Sequence, residues 1–113
     1  MTPAALRRFA LSLAGAHETP HFERTSFRVG TKIFATLTRD GLEAMVRVAP
    51  QSRVRELLVT RPDVFFSYGG WTVRHGALGV RLRDVDLATM KSLVRDAWGR
   101  IAPKDEKKSR KRR

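Results

Sequence analysis

Ser26-Phe27-Arg28-Val29-Gly30-Thr31-Lys32-Ile33-Phe34-Ala35-Thr36-Leu37 is the stretch on which the fold turns. Residues 26–29 and 33–37 are short β-prone runs, and Gly30-Thr31 between them supplies a tight turn, so the segment predicts a β-hairpin. Asp40-Gly41 gives a second hairpin signal. Ala44, Val46 and Val48 then alternate with Met45 and Arg47, the period of a strand with one buried face. Three antiparallel strands are expected.

Upstream, Thr2-Pro3 reads as an N-cap followed by proline at the first helical position, and Gly15 offers a left-handed stop. Leu6, Phe9, Ala10 and Leu13 fall at i, i+3, i+4 and i+7, so residues 3–14 predict an amphipathic helix. Arg7-Arg8 ahead of apolar residues 9–13 imitates a secretory leader, but Ser12 and Gly15 interrupt it and the helical spacing explains the residues better. Residues 17–25 read as a turn-rich connector. Downstream, Pro50 stops the sheet and residues 52–60 form a second helix ending before Arg61-Pro62. Three more strands are expected at 64–68, 71–74 and 78–82, separated by Gly69-Gly70 and His75-Gly76. Asp86 caps a last helix whose apolar stripe runs Leu87, Met90, Leu93, Val94, Ala97, Trp98 and Ile101, and Pro103 closes the folded part. The pattern is that of an α+β two-layer sandwich, an antiparallel sheet with N- and C-terminal helices on one face. One domain, residues 1–103, precedes a basic tail, 104–113, expected to be disordered.

The chain has 113 residues, 42% of them hydrophobic, enough for one core. It has no cysteine, which removes disulfides and thiolate chemistry and makes a reducing, cytoplasmic setting the expectation. No apolar run approaches the ~18 residues of a membrane span. The 23 Lys and Arg against 11 Asp and Glu give a net charge of +12, the balance of a protein with an anionic partner. The tail holds seven basic and two acidic residues, net +5, so residues 1–103 still carry +7.

Several motifs together resemble the MmcQ/YjbR-like proteins, small bacterial domains of the frataxin-like (CyaY-like) fold. The carriers are Leu13-Ala14-Gly15-Ala16, Glu18-Thr19-Pro20-His21-Phe22, and Ser26-Phe27-Arg28-Val29-Gly30 leading to Lys32-Ile33-Phe34-Ala35. Val80-Arg81-Leu82, Val85-Asp86, Asp96-Ala97-Trp98 and Ala102-Pro103-Lys104 continue the match, and residues 67–79 depart from it. The resemblance implies an α-β-α sandwich and DNA contact through β-hairpin wings. It implies no reaction.

The catalytic signals are incomplete. His17-Glu18-Thr19-Pro20-His21 spells the zinc-protease pattern, which needs two imidazoles one helical turn apart, and Pro20 breaks that helix. Glu18 or His21 is expected to hydrogen-bond backbone in a loop. Iron binding of the frataxin type needs acidic residues on the first helix, and residues 1–17 contain none. There is no G-x-S-x-G elbow, and Gly30-Thr31-Lys32 lacks the spacing of a phosphate loop. A non-enzymatic protein with no metal and no cofactor is the expectation.

Arg28, Lys32 and Arg39 fall on or beside the first hairpin, and Arg74, Arg81 and Arg83 on the later strands, with Trp71 or His75 available to stack. Lys107, Lys108, Arg110, Lys111, Arg112 and Arg113 add a flexible cationic run able to follow a phosphate backbone. The expected function is weakly sequence-specific DNA binding, on double-stranded DNA, through the hairpin surface and the tail. The alternative is a module docking an acidic protein partner, and the sequence leaves the oligomeric state open.

Overall fold

The computed structural model describes residues 1–102, without the Trp71 side chain. The elements run α1 (Pro3–Ser12), β1 (Ala16–His21), β2 (Arg24–Val29), β3 (Lys32–Thr38), β4 (Glu43–Arg47), α2 (Gln51–Thr60), β5 (Phe65–Ser67), α3 (Gly70–Arg74), β6 (Ala77–Arg81) and α4 (Leu87–Ile101), with a 3-10 turn at Leu82–Asp84. The six strands form one sheet in the order β1-β2-β3-β4-β6-β5, every neighbouring pair antiparallel. The helices α1 and α4 cover one face, and the expected α+β sandwich is what forms.

Burial explains the arrangement. Phe27, Phe34 and Ala35 of the central hairpin, Val46 of β4 and Leu78 and Val80 of β6 are fully buried, in one cluster with Leu6 and Ala10 of α1 and Met90, Leu93, Val94, Ala97 and Trp98 of α4. The register of β2 on β3 slips at Phe27/Arg28: Phe27 faces Ala35 and Arg28 faces Ile33, leaving Phe34 as the extra residue. This bulge lets Phe34 and Ala35, adjacent in sequence, both be buried. Trp98 donates its indole N–H to the Ala14 carbonyl at 2.8 Å, tying α4 to the chain just past α1.

Both expected caps form. Thr2 Oγ1 accepts from the Ala5 amide at 3.1 Å. Asp86 Oδ2 accepts from the Thr89 amide at 2.9 Å and the Thr89 hydroxyl at 2.7 Å, while Arg61 Nη1 donates to Oδ1 at 3.2 Å.

Two segments differ from the sequence reading. Residues 16–21 are an edge strand rather than a connector, and Pro20 fits there because an edge strand leaves every second N–H without a sheet partner. The sheet therefore has four strands after α1. Residues 71–74 lie in the short helix α3, not in a strand. Gly69, at φ 120°, turns the chain, the Thr72 hydroxyl and the Val73 amide both donate to the Gly69 carbonyl, and Val73 is buried against the core. The three strands expected over residues 64–82 are thus a strand-helix-strand passage, β5, α3 and β6. The tail, residues 104–113, lies outside the described residues.

The Asp86 carboxyl is held down from its ordinary 3.8 to about 2, first by the Thr89 hydroxyl, then by the Thr89 amide, with Arg61 adding to them. A carboxyl lowered in the folded state stabilises the fold above its unfolded pKa and loses that contribution as pH falls through the folded one. Thermal melts should therefore show a decline in Tm between pH 3.8 and about 2 that is shallower in Asp86→Asn, which keeps a cap but has no charge to lose.

Candidate functional site

Because side chains alternate along a strand, each inward residue of the sheet has an outward neighbour, and among the described residues no long helix covers the outward face. On β2, Phe27 points to the helices and Arg24, Ser26 and Arg28 point away. Cross-strand partners share a face, so His17, Thr19 and His21 of β1 join them, since they pair with Arg28, Ser26 and Arg24. Thr36 of β3 pairs with Ser26 and with Met45 of β4, Arg47 pairs with Ala77, and Gly79 pairs with both Met45 and Phe66. This open face carries Arg24, Arg28, Arg47 and Arg81 together with Phe66 and Tyr68.

The arginines are held by neutral groups. Ser26 is fully buried and donates to the Thr19 carbonyl at 2.7 Å, and its Oγ accepts from Arg28 Nε at 2.8 Å. Arg28 Nη2 lies 3.2 Å from His21 Nδ1. A guanidinium only donates, so Nδ1 accepts and the imidazole proton sits on Nε2. Arg24 Nη1 reaches Thr36 Oγ1 at 3.4 Å and the Tyr68 hydroxyl at 3.3 Å, with its guanidinium 5.4 Å from the Tyr68 ring centre. The Arg81 guanidinium stands 5.1 Å from the Phe66 ring, which meets Tyr68 edge-on at 5.2 Å. Arg47 Nη1 donates to the His75 carbonyl at 3.0 Å.

None of these cations is in an ion pair among the described residues, but carboxylates stand near two of them. The Asp40 carboxyl is held below its ordinary value by the Leu42 amide and the Thr38 hydroxyl, with Arg24 adding to them, and Glu43 faces Arg81 across β4 and β6. The ion pairs among the described residues are Arg7–Glu18, Arg53–Asp96 and Arg61–Asp86, all away from the open face. A groove of about 650 Å³ crosses that face, floored by Ile33, Thr36 and Met45 and walled by His21 to Arg24 on one side and Tyr68 and Thr72 on the other. Phe22 stands at its rim, 94% exposed in the left-handed region at φ 57°, a costly conformation for a bulky side chain. Gly79 makes room for the aromatic pair: a Cβ there would come within 2.5 Å of the Phe66 ring.

The residues singled out from the sequence do not gather as one hairpin wing. Arg28 is on the open face. Lys32 starts β3 and Arg39 follows its end, roughly 23 Å apart along an extended chain. Arg74 is exposed at the last residue of α3, on a helix where the sequence suggested a strand, and Trp71 lies in the same helix with its side chain outside the described residues. Lys107, Lys108, Arg110, Lys111, Arg112 and Arg113 also lie outside. Arg24, Arg47 and Tyr68 were missed, although Arg24, Ser26 and Arg28 are spaced by two, as are Met45 and Arg47. The His17–His21 pattern is extended, putting its imidazoles roughly 13 Å apart, too far to share one zinc ion at ~2.1 Å from each. Glu18 accepts from Arg7 Nε at 2.6 Å on the opposite face, so neither it nor His21 makes the loop contact to backbone expected of it.

These features define a class: a small α+β domain whose antiparallel sheet is helix-backed on one side and presents arginines and aromatic rings on the other. A family model described as YjbR matches residues 11–100, and the chain belongs to the YjbR family. It is similar to the crystal structure of Deinococcus radiodurans protein DR2400, of domain family DUF419, with a TM-score of 0.72 and 24% identity over 86% of this chain and 75% of that one. That likeness establishes the shared fold. No curated protein matches the chain.

Gly79→Ala should push the Phe66 ring off the sheet and cost about 1–3 kcal/mol, the usual range for overpacking. Urea denaturation reads the stability, and near-UV circular dichroism reads the loss of the Phe66–Tyr68 arrangement.

Proposed function

We propose that this protein binds single-stranded nucleic acid, without catalysing a reaction, across the open face of its sheet. The observation that carries the reading is a groove lined by Arg24 and Arg47 together with Tyr68 and the exposed Phe22, with Arg28 and the Phe66 ring beside it on the same sheet face. Cations that track a phosphate backbone and rings on which bases stack are what a strand with unpaired bases needs. Both kinds of contact tolerate any base, so the reading includes little sequence preference. Duplex DNA held by hairpin tips is the weaker form of the same idea, because Lys32 and Arg39 stand at opposite ends of β3. The cationic run of residues 104–113 adds backbone contacts to either substrate.

Fluorescence anisotropy of a labelled single strand against a duplex of the same sequence tests the proposal. If Arg24, Arg28 and Arg47 neutralise about three phosphates, the folded domain contributes a slope near −2 in log K against log salt on single strands. Tyr68→Ala should weaken single-strand binding by about 1–3 kcal/mol, roughly fivefold to 150-fold, with the fold intact by circular dichroism. Binding that ignores Arg28→Gln and Tyr68→Ala but disappears when the six cations of residues 107–113 are replaced would move the site off the sheet. A nuclease-resistant, stoichiometric complex with an acidic protein would favour the protein-docking alternative.

A further inference from the structure

A second cavity, of about 340 Å³, opens at the end of the sheet where β3 and β6 begin and β4 ends. Lys32, Arg47, His75 and Arg100 line it together with Thr31, and among the described residues no carboxylate does. Arg47 is fixed there by its bond to the His75 carbonyl, yet its Nε is buried with no hydrogen-bond partner. A buried guanidinium N–H without an acceptor is costly, and an anion is the partner that relieves it. The carbonyl end of α4, which also borders the cavity, opposes an anion, and Arg100 in its last turn offsets that field. The volume equals on the order of ten waters, room for a compact anion with part of its hydration.

Arg47 and Ile33 line this cavity and the open groove alike, so the two are contiguous. We infer that the Lys32–Arg47–His75–Arg100 cavity binds a phosphomonoester dianion, the terminal phosphate of a strand lying in the groove. The inference rests on the nucleic-acid reading of that groove. A terminal phosphate carries more charge than an internal diester and offers three acceptor oxygens. Two guanidinium forks and an ammonium group suit it better than they suit a diester.

The test uses the full chain and one oligonucleotide sequence made with a 5′-phosphate, with a 3′-phosphate, and with neither. One terminal phosphate should tighten binding about tenfold or more, as charge-assisted bonds to an ion warrant. Lys32→Gln and Arg100→Gln should remove that gain, weakening the phosphorylated strand about tenfold more than the unphosphorylated one, a difference that misfolding would not produce. Inorganic phosphate, titrated against chloride at constant ionic strength, should shift the amide resonances of Thr31, Lys32 and His75. Equal affinity for all three strands overturns the inference and leaves the groove reading standing. Failure of every strand to bind, with inorganic phosphate still shifting those resonances, overturns both the groove reading and the strand-end source and leaves a free phosphorylated molecule as the ligand. Silence in both measurements overturns the cavity and the groove together.

Discussion

Phe27 and Arg28 are neighbours that the strand sends to opposite faces, and the molecule depends on which goes where. A slip of one residue in β2 would drive Arg28 among Leu6, Val46 and Trp98, and burying an unpaired guanidinium costs several times what burying Phe27 contributes. The alternation therefore fixes register, and register fixes the face against which α1 and α4 pack. The bulge opposite this pair sharpens the division. It buries Phe34 and Ala35 together and places Ile33 across from Arg28 at the groove floor.

The same division shapes the open side. Ser26 and Thr36 are the buried polar side chains among the described residues, and both lie beneath arginines on the outward face. Each hydroxyl meets a guanidinium N–H, so Arg24 and Arg28 are oriented by neutral partners and not by an ion pair. An arginine paired to a carboxylate would be oriented too, but its field would be cancelled. Gly79 does the complementary work on the far strands, where the missing side chain lets Phe66 lie across the sheet beneath Arg81.

Most of the scaffold was legible in the sequence because its signals were local. Thr2-Pro3, Asp86 and the stripe from Met90 to Trp98 carry capping chemistry and helical period in consecutive residues, and the 26–37 hairpin carries its own turn. β1 was not legible, since Pro20 reads as a strand breaker until the strand is known to lie at an edge, a fact fixed by topology. Residues 71–74 misled for the opposite reason: Trp, Thr and Val favour strands on average, but Val73 is buried in the helical form that Gly69 initiates.

The site was half legible. Arg28 and the aromatic content were visible, whereas grouping the cations by hairpin joined Lys32 to Arg39 because both flank one strand. Grouping by strand parity would have joined Arg24 to Arg28, and Met45 to Arg47. Proximity in sequence and proximity on a sheet face are different measures, and for a strand the second follows a period of two. Tyr68 obeys neither, because it reaches Arg24 from 44 residues away through the pairing of β5 with β6 and of β6 with β4. A net charge of +7 on the domain therefore describes this surface poorly. What distinguishes it is that the arginines on one face are oriented by hydroxyls and rings while the carboxylates in ion pairs lie elsewhere.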